Sequence, residues 1–270
     1  MMETRSVLYS MEKDGSGETE WEDGAGFDDG APVAGQNPRF VVVDGASEAF
    51  DSLRWVEQLV TSFLDRGLPS AAPEAPTLDQ QGMRRWFELM QKRWLDETPA
   101  FASIIEERKF AREGSMATLL GCELTGLGGP APGWKAVALG DTVLFHVRDG
   151  RCVQHFPALR AQDFGSTPSG VRTVPSALEQ MVQVVTFASG ELRVGDLLFL
   201  ATDALAHWMV QRNEQDPHQL WTALSVLDHD DLFVQLVSQA RAAQEMKNDD
   251  VTLLRVQVVA APAEFLVVCL

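Results

Sequence analysis

The sequence predicts an α+β domain in which helices cover a layered, mostly antiparallel sheet. Short strand-like runs follow one another between residues 116 and 156 without a helical pattern between them, which indicates a meander and not a β-α-β alternation. Apolar residues at helical spacing cluster in two other places, at about 47–112 and 204–246. No internal repeat with a solenoid period is present, so a single layered unit is expected.

Composition and charge exclude several classes of protein. With 45% hydrophobic and 23% charged residues among 270, the chain is an ordinary globular protein. Its 39 acidic and 22 basic residues give a net charge of −17, which repels nucleic acid and anionic lipid and excludes both as partners. Cys122, Cys152 and Cys269 lie far apart without paired spacing, so neither a disulfide framework nor a zinc cluster is expected.

The N-terminus and the absence of long apolar runs set the expected location. Charges replace a long apolar core at the N-terminus, and no stretch approaches the ~18 uncharged residues of a membrane helix. We expect a cytoplasmic, monomeric protein that does not contact membranes. We also expect one domain over residues 1–270, with a helical excursion at about 68–112.

The first part of the chain passes from an acidic edge through a strand to a helix. Residues 12–37 are rich in glycine and acid without periodicity, which indicates a loop-rich edge with room for one short strand. The β-branched run at 39–43 predicts a strand ending at Asp44, after which Ser47 is expected to N-cap a helix that ends at Gly67. The apolar residues of that helix are Phe50, Leu53, Val56, Val60 and Phe63.

Two more helices are predicted after a proline- and alanine-rich connector at 68–78. The longer covers about 79–96 and the shorter about 100–112. Large apolar residues repeat along one face of the longer helix, which favours core packing over a ligand site. They are Met83, Trp86, Phe87, Met90 and Trp94.

The rest of the chain is predicted to form strands and then helices. Asp149 and Gly150 are a strong signal for a hairpin turn within the meander. The predicted strands cover 116–126, 134–141, 142–150, 151–156, 182–187, 197–202 and 251–259. The predicted helices cover 204–213, 217–227 and 230–246. The five histidines show no catalytic or metal-binding spacing, and no role is predicted for them.

Four aspartates occupy an unusual common setting, because each lies where a strand begins, ends or could begin. They are Asp23, Asp44, Asp203 and Asp249. Strand ends of one sandwich meet in space, so these carboxylates can converge, and their mutual repulsion then requires a cation. Oxygen ligands without nearby histidine or cysteine favour Mg²⁺ or Mn²⁺ over zinc. Taken singly, each aspartate also fits a structural role: Asp203 as a helix N-cap, Asp44 as a turn residue, and Asp249 with Asp250 as a solvated turn.

Five strings, taken in order, resemble the signature blocks of the metal-dependent protein phosphatase 2C family. They are WEDGAGFD, FVVVDGASE, ALGDTVLFHVRDG, LLFLATDALA and KNDDVTLLRV, and they span about residues 20–258. The resemblance, to a divergent bacterial-type member, implies a four-layer α-β-β-α sandwich of two antiparallel sheets flanked by helices. It also implies a serine/threonine phosphoprotein phosphatase in which a water bridging two Mn²⁺ or Mg²⁺ ions attacks phosphorus without a side-chain nucleophile.

The resemblance also implies the ligands of the metal centre. Carried over residue by residue, Asp23, Asp44, the carbonyl of Gly45, Asp203 and Asp249 surround the two ions. Glu22 is implied as a partner that acts through water. Asp141 matches the aspartate that, with Asp203, holds a third, weaker ion in many members.

Several departures from the family pattern motivate alternative functions. Glu18 lies near the place of an arginine that grips the substrate phosphate, and Lys13 or Arg5 are the candidates to replace it. Ala46 and Ala204 stand where glycine is common, and 157–175 lacks a lysine-proline signal. One alternative is therefore a phosphatase-like binding or regulatory module with weak or no turnover. Another is hydrolysis of a small phosphorylated metabolite at the same metal centre.

Overall fold

Two five-stranded antiparallel sheets form the centre of the computed structural model, which describes residues 1–15, 21–30, 36–47, 49–67, 75–97, 101, 103–112, 114–165 and 168–261. In chain order the elements are β1 (Met2–Met11), β2 (Asp23–Asp28), β3 (Arg39–Asp44), α1 (Ser52–Leu64), α2 (Gln80–Asp96), α3 (Ile104–Arg112), β4 (Met116–Ala117), β5 (Leu119–Thr125), β6 (Gly133–Leu139), β7 (Val143–Arg148), β8 (Arg151–Phe156), β9 (Val171–Arg172), α4 (Leu178–Val184), β10 (Thr186–Glu191), β11 (Leu197–Ala201), α5 (Asp203–Gln215), α6 (Pro217–Ser225), α7 (Asp230–Ala242) and β12 (Val251–Ala260).

The strand order shows how the chain divides between the two sheets. Sheet I has the order β1-β12-β11-β7-β8, and sheet II has the order β10-β6-β5-β3-β2. The short strands β4 and β9 pair with each other beside them. The chain crosses from sheet II to sheet I between β6 and β7, and the tight hairpin β7–β8 follows at Asp149 and Gly150, which have φ of 50° and 70°. The hairpin predicted at these two residues is therefore confirmed.

Alternating side chains divide the interior into three apolar layers. In β3, Phe40 and Val42 point between the sheets, whereas Val41 and Val43 point towards the helices. Helices α1, α2 and α4 cover sheet II, with Trp55, Phe87 and Met181 in the buried contact. Helices α5, α6 and α7 cover the opposite face of sheet I. This arrangement confirms the predicted α+β class and the α-β-β-α sandwich.

The helix at 79–96 agrees closely with the sequence prediction. It begins after Asp79, whose side chain accepts a 2.8 Å hydrogen bond from the Gly82 amide and caps the first turn. All five large apolar residues of the predicted face are buried, which confirms core packing: Met83, Trp86, Phe87, Met90 and Trp94. The predicted excursion at 68–112 thus contains α2 and α3, while its residues 68–74 lie outside the described part of the chain. The single-domain organisation stays a prediction.

The predicted start of α1 at Ser47 is wrong. Residues 46 and 50 are held by a neighbouring segment of the same chain. The Ala46 amide donates to Met116 O (3.0 Å), and the Phe50 amide donates to Gly114 O (3.1 Å). The helix begins at Ser52, after Asp51 in a left-handed conformation with φ of 51°. Its buried face includes Trp55 and Phe63. Leu53 was predicted on that face but is 41% exposed.

Two strand assignments in the sequence also need correction. The run at 182–187 is not all strand: α4 continues to Val184, because Met181, Val182 and Val185 recur at helical spacing against the sheet II helices. The long strand β1 was not predicted at all. It is an edge strand of sheet I that pairs only with β12, and its side chains are mostly polar or exposed apart from Tyr9. No helix in the described ranges is long and apolar enough to cross a membrane.

Candidate metal centre

An acidic cleft of about 350 Å³ opens where strand ends of both sheets meet. Sheet II contributes the start of β2 and the end of β3, and sheet I contributes the end of β11 and the start of β12. The four aspartates predicted to converge all line it, together with Gly45. The acidic residues of its lining are Glu22, Asp23, Asp44, Asp203, Asp249 and Asp250.

Asp23 is the most enclosed of these carboxylates. It is 4% exposed, and its Oδ2 accepts hydrogen bonds from Thr202 Oγ1 (3.0 Å) and Thr252 Oγ1 (2.8 Å). Both threonines belong to the sheet I side, so the aspartate of sheet II is held by the opposite sheet. Burial raises the pKa of Asp23 to about 8, against the opposing effect of the two hydroxyl hydrogen bonds.

Asp44 lies directly opposite Asp23, because the two residues are paired in register across β2 and β3. The Asp44 amide donates to Thr118 Oγ1 at 3.2 Å, and the Thr118 amide donates to Asp44 O at 2.8 Å. Burial, and then the nearby charges of Asp23 and Asp203, raise the pKa of Asp44 well above its usual value. Two facing carboxylates at a strand pair therefore carry strong mutual repulsion.

Gly45 extends the strand end into the cleft at a place where no side chain fits. Its amide donates to Glu22 O at 3.1 Å, and a Cβ at this position would lie 2.7 Å from that oxygen and 3.1 Å from Val56 Cγ2. The Glu22 side chain is fixed as well, because Ser52 Oγ at the start of α1 donates to its Oε1 at 2.6 Å. The β2–β3 end, Glu22 and α1 thus form one connected wall of the cleft.

Asp203 and Asp249 approach from the other sheet. Asp203 is the first residue of α5, which makes Thr202 the N-cap residue, so the alternative reading of Asp203 as the N-cap is wrong. Its Oδ1 accepts a 2.5 Å hydrogen bond from the Ala204 amide, and burial raises its pKa although Lys247 opposes the shift. The reading of Asp249 with Asp250 as a solvated turn is wrong for Asp250, whereas the Asp249 side chain is 29% exposed. Asp250 is 6% exposed and accepts hydrogen bonds from the backbone amides of Lys13 (2.9 Å) and Glu22 (3.2 Å).

Asp141 lies at the crossover between the sheets and is not part of the cleft lining. It is 5% exposed, and its buried Oδ1 has no hydrogen-bond partner. Burial, followed by the charge of Asp203, raises the pKa of Asp141 to about 7. A buried carboxylate oxygen without a donor is costly and marks a position that a cation would satisfy.

Several solved structures of phosphatases superpose on this chain. A bacterial serine phosphatase superposes with a TM-score of 0.62 at 12% identity, covering 97% of this chain and 100% of that chain. The catalytic domain of the serine threonine protein phosphatase PstP in complex with two manganese ions gives 0.58 at 14% identity, covering 96% and 100%. The S. agalactiae serine/threonine phosphatase gives 0.57 at 17% identity, covering 95% and 100%.

The chain has the type 2C phosphatase fold. No protein-family model and no curated protein matches the sequence, so this conclusion rests on the likeness of structure. The resemblance predicted from the five motif strings is confirmed at the level of the fold.

The donor set of the acidic cleft suits a hard divalent cation. Its potential ligands are carboxylate and carbonyl oxygens, and no histidine or cysteine is among the described residues that line it. Within the part of the chain that the structure describes, no three or more His, Cys, Asp or Glu side chains are already grouped to hold a metal ion. The unpartnered Asp141 Oδ1 and the raised pKa values of Asp23, Asp44 and Asp203 nevertheless fit a site whose charge needs a cation.

The basic side chain that lines the acidic cleft was not predicted from the sequence. Neither Arg5, which is exposed in the middle of β1, nor Lys13 lines the cleft, and Glu18 lies outside the described residues. The lining base is Lys247, two residues before Asp249. Thr202 and Thr252 were missed as well, because only the packing of the two sheets brings them to Asp23.

Proposed function

We propose that this protein is a metal-dependent phosphatase acting on phosphoserine or phosphothreonine in proteins. The observation that carries the proposal is the meeting of Asp23, Asp44, Asp203 and Asp249 in one cleft on a type 2C phosphatase fold. These residues are far apart in sequence and come from both sheets. A cluster of carboxylates with one lysine among its described lining residues costs stability, and metal binding would compensate this cost.

The proposed ligands for two Mn²⁺ or Mg²⁺ ions are the four aspartates and the carbonyl of Gly45. Glu22, held by Ser52, is placed to act through water. Asp141, with its unpartnered Oδ1, is proposed with Asp203 for a third, weaker ion. The ligand loops are tied together across the cleft, since Asp250 accepts from the amides of both Lys13 and Glu22.

The proposed role of this protein's side chains is to position the metal ions and the substrate. None of them attacks phosphorus. When bound, the ions supply an activated water for in-line attack on phosphorus and neutralise the charge on the phosphoryl oxygens. Thr202 and Thr252 hold Asp23 through its Oδ2 and so fix the direction of the carboxylate. The described lining contains neither a histidine nor a cysteine that could serve as nucleophile or general acid.

A binding or regulatory module is the second candidate. It is favoured by the ion pair of Lys247 with Asp249 and by the lack of a preformed metal cluster among the described residues. Such a module would bind metal and a phosphorylated partner without appreciable turnover. A cytoplasmic location and a monomeric state stay predictions, as does the lack of nucleic-acid and membrane partners.

The decisive experiment is hydrolysis of an activated aryl phosphate by the purified protein with Mn²⁺, with Mg²⁺ and with chelator. We expect metal-dependent turnover that falls by at least about 100-fold in Asp44→Asn, because one ligand charge of the centre is removed. The matched control is Asp149→Asn, an exposed aspartate at the tip of the β7–β8 hairpin. Wild-type turnover in Asp44→Asn would refute the assignment.

Two further comparisons separate the candidates. Faster turnover of phosphopeptides than of small phosphate esters supports a protein phosphatase, and the reverse supports hydrolysis of a small metabolite. Metal binding by calorimetry without turnover of any substrate supports the binding module.

A further inference from the structure

Lys247 is the only basic residue among the described residues that line the acidic cleft. Its Nζ lies 2.5 Å from Asp249 Oδ2 and 3.9 Å from Asp203 Oδ2. One of these carboxylates precedes β12 and the other begins α5, so a single ammonium bridges two proposed metal ligands. The Lys247 ammonium is thus the cation between these two carboxylates.

The lysine side chain is largely exposed in this position. Its side chain is 62% exposed, and a four-carbon stem gives the ammonium a wide reach. Lys247 also lines a second cleft of about 420 Å³. The residue therefore borders both clefts.

The two arginines that line the second cleft have partners outside the acidic cleft or in its backbone. Arg241 has a side chain that is 5% exposed, and it donates to Glu12 O (2.7 Å) and Asp249 O (2.5 Å). Arg212 pairs with Glu245 at 2.9 Å. Neither residue lines the acidic cleft, so Lys247 is the cation that an anion entering that cleft would meet.

We propose that Lys247 is an exchangeable counter-ion that pairs with Asp203 and Asp249 in the metal-free protein and with the substrate phosphate once metal replaces it there. The second half of this assignment rests on the proposed phosphatase function. A phosphate dianion entering a cleft lined by six carboxylates needs cationic partners, and the ammonium released from Asp249 belongs to the lining of that cleft. Lys247 is thus a substrate-positioning residue for a phosphate monoester.

The assignment predicts two effects of opposite sign. In Lys247→Met, Mn²⁺ no longer competes with an ammonium, so we expect about 2–5-fold tighter Mn²⁺ binding. Inorganic phosphate loses a charged donor, so we expect it to bind the Mn²⁺-loaded protein about 10-fold more weakly. Lys247→Arg should keep most of the phosphate affinity. A variant that merely unfolds would lose both affinities together.

Isothermal calorimetry of Mn²⁺, and of phosphate on the Mn²⁺-loaded protein, tests this without relying on turnover. The matched control is Lys135→Met, which changes an exposed lysine of β6 that does not line the cleft. Opposite shifts in Lys247→Met support the inference even if no variant hydrolyses phosphopeptides, in which case only the proposed function fails. Unchanged Mn²⁺ and phosphate affinities in Lys247→Met overturn it, even in an active enzyme. If the wild-type protein binds no Mn²⁺, a gain of binding in Lys247→Met supports the inference and no gain overturns it.

Discussion

Two buried groups of charged side chains in this protein are compensated in different ways. The first, here called the Asp196 corner, lies before β11 and consists of Asp196, Arg148 and His146. Asp196 is 1% exposed, and it accepts hydrogen bonds from Arg148 (2.7 and 2.8 Å), His146 Nε2 (2.9 Å) and the Arg193 amide (2.8 Å). Burial alone would raise the pKa of Asp196, but the hydrogen bonds of Arg148 and His146 outweigh it and the pKa is lowered.

The protonation of the Asp196 corner follows from its contacts. Trp134 Nε1 donates to His146 Nδ1 at 3.3 Å, which assigns the ring proton to Nε2, and this proton faces Asp196. Burial lowers the pKa of His146 although Asp196 opposes the shift, so the ring is neutral near pH 7. The histidine, for which the sequence predicted no role, completes a structural network.

The acidic cleft has the opposite balance. Its buried carboxylates have hydroxyl and amide donors and one exposed lysine, and the pKa values of Asp23, Asp44 and Asp203 are raised. A buried carboxylate that stays ionised requires either an internal cation or one from solution. The Asp196 corner contains its cation, whereas the cleft leaves most of its charge to be balanced from outside. This difference distinguishes a structural ion pair from a candidate binding site.

Removing the acid of the Asp196 corner should have the largest effect on stability. In Asp196→Ala, Arg148 is left without its buried partner, and we expect a loss of about 3–5 kcal/mol in the free energy of unfolding. Urea unfolding followed by tryptophan fluorescence measures it. Mn²⁺ affinity of the folded protein should not change, because no residue of this corner lines the acidic cleft. A small loss of stability would show that the corner is not a closed structural network.

Adding metal should have the next largest effect and should act only through the cleft. At about 100 times its dissociation constant, Mn²⁺ should stabilise the protein by about 2.7 kcal/mol. Thermal unfolding with increasing Mn²⁺ and with chelator measures this effect. The same gain should appear in Asp149→Asn. No change in melting temperature up to millimolar Mn²⁺ would show that the carboxylates of the cleft are structural, like those of the Asp196 corner.

The strand-end aspartates could be predicted because their signal is local. Asp44 follows a β-branched run, and Asp203 follows LLFLAT, so each acid marks a strand end within a few residues. The hydrogen-bond partners of Asp23 could not be predicted from the local sequence in the same way. Thr202 and Thr252 are 179 and 229 residues away in sequence, and only the packing of one sheet on the other brings them to it.

The missed β1 and the misplaced start of α1 have related causes. An edge strand such as β1 pairs on one side only and can carry polar side chains on both faces, so it lacks the alternation that marks a half-buried strand. Ser47 is a good N-cap residue by type, but contacts of Ala46 and Phe50 with the residues around β4 delay the helix until Ser52. Tertiary hydrogen bonds overrode the local preference in this case.

The stability of the metal-free protein should fall as pH rises. The pKa of Asp141 is about 7 and that of Asp23 about 8 in the folded protein, both above the usual value of 3.8, so the folded state holds protons that the unfolded chain has lost. This protonation stabilises the fold at low pH and is lost as pH rises through 7 and 8. Between pH 6 and 8 we expect a loss on the order of 2 kcal/mol.

The measurement is urea unfolding in chelator at several pH values, repeated with saturating Mn²⁺. The cation should reverse the trend, because it binds the ionised carboxylates and its affinity rises with pH. Stability that is independent of pH in chelator would show that the cleft acids are already compensated within the protein, as Asp196 is.

The smallest expected effect is also the one that most directly tests the difference between the acidic cleft and the Asp196 corner. In chelator at pH 7, Asp44→Asn should stabilise the protein by about 1 kcal/mol, because a neutral amide avoids the burial and the nearby acidic groups that disfavour an ionised Asp44. The Asn side chain keeps the size and shape of the original and leaves the backbone contacts with Thr118 in place. With Mn²⁺ the order should invert, since the variant lacks a ligand that the wild-type protein uses. An Asp→Asn change that stabilises one state and destabilises the other is expected of a binding carboxylate and not of a structural one such as Asp196. If Asp44→Asn destabilises the metal-free protein instead, the cleft acids contribute to the fold by themselves and the contrast with the Asp196 corner fails.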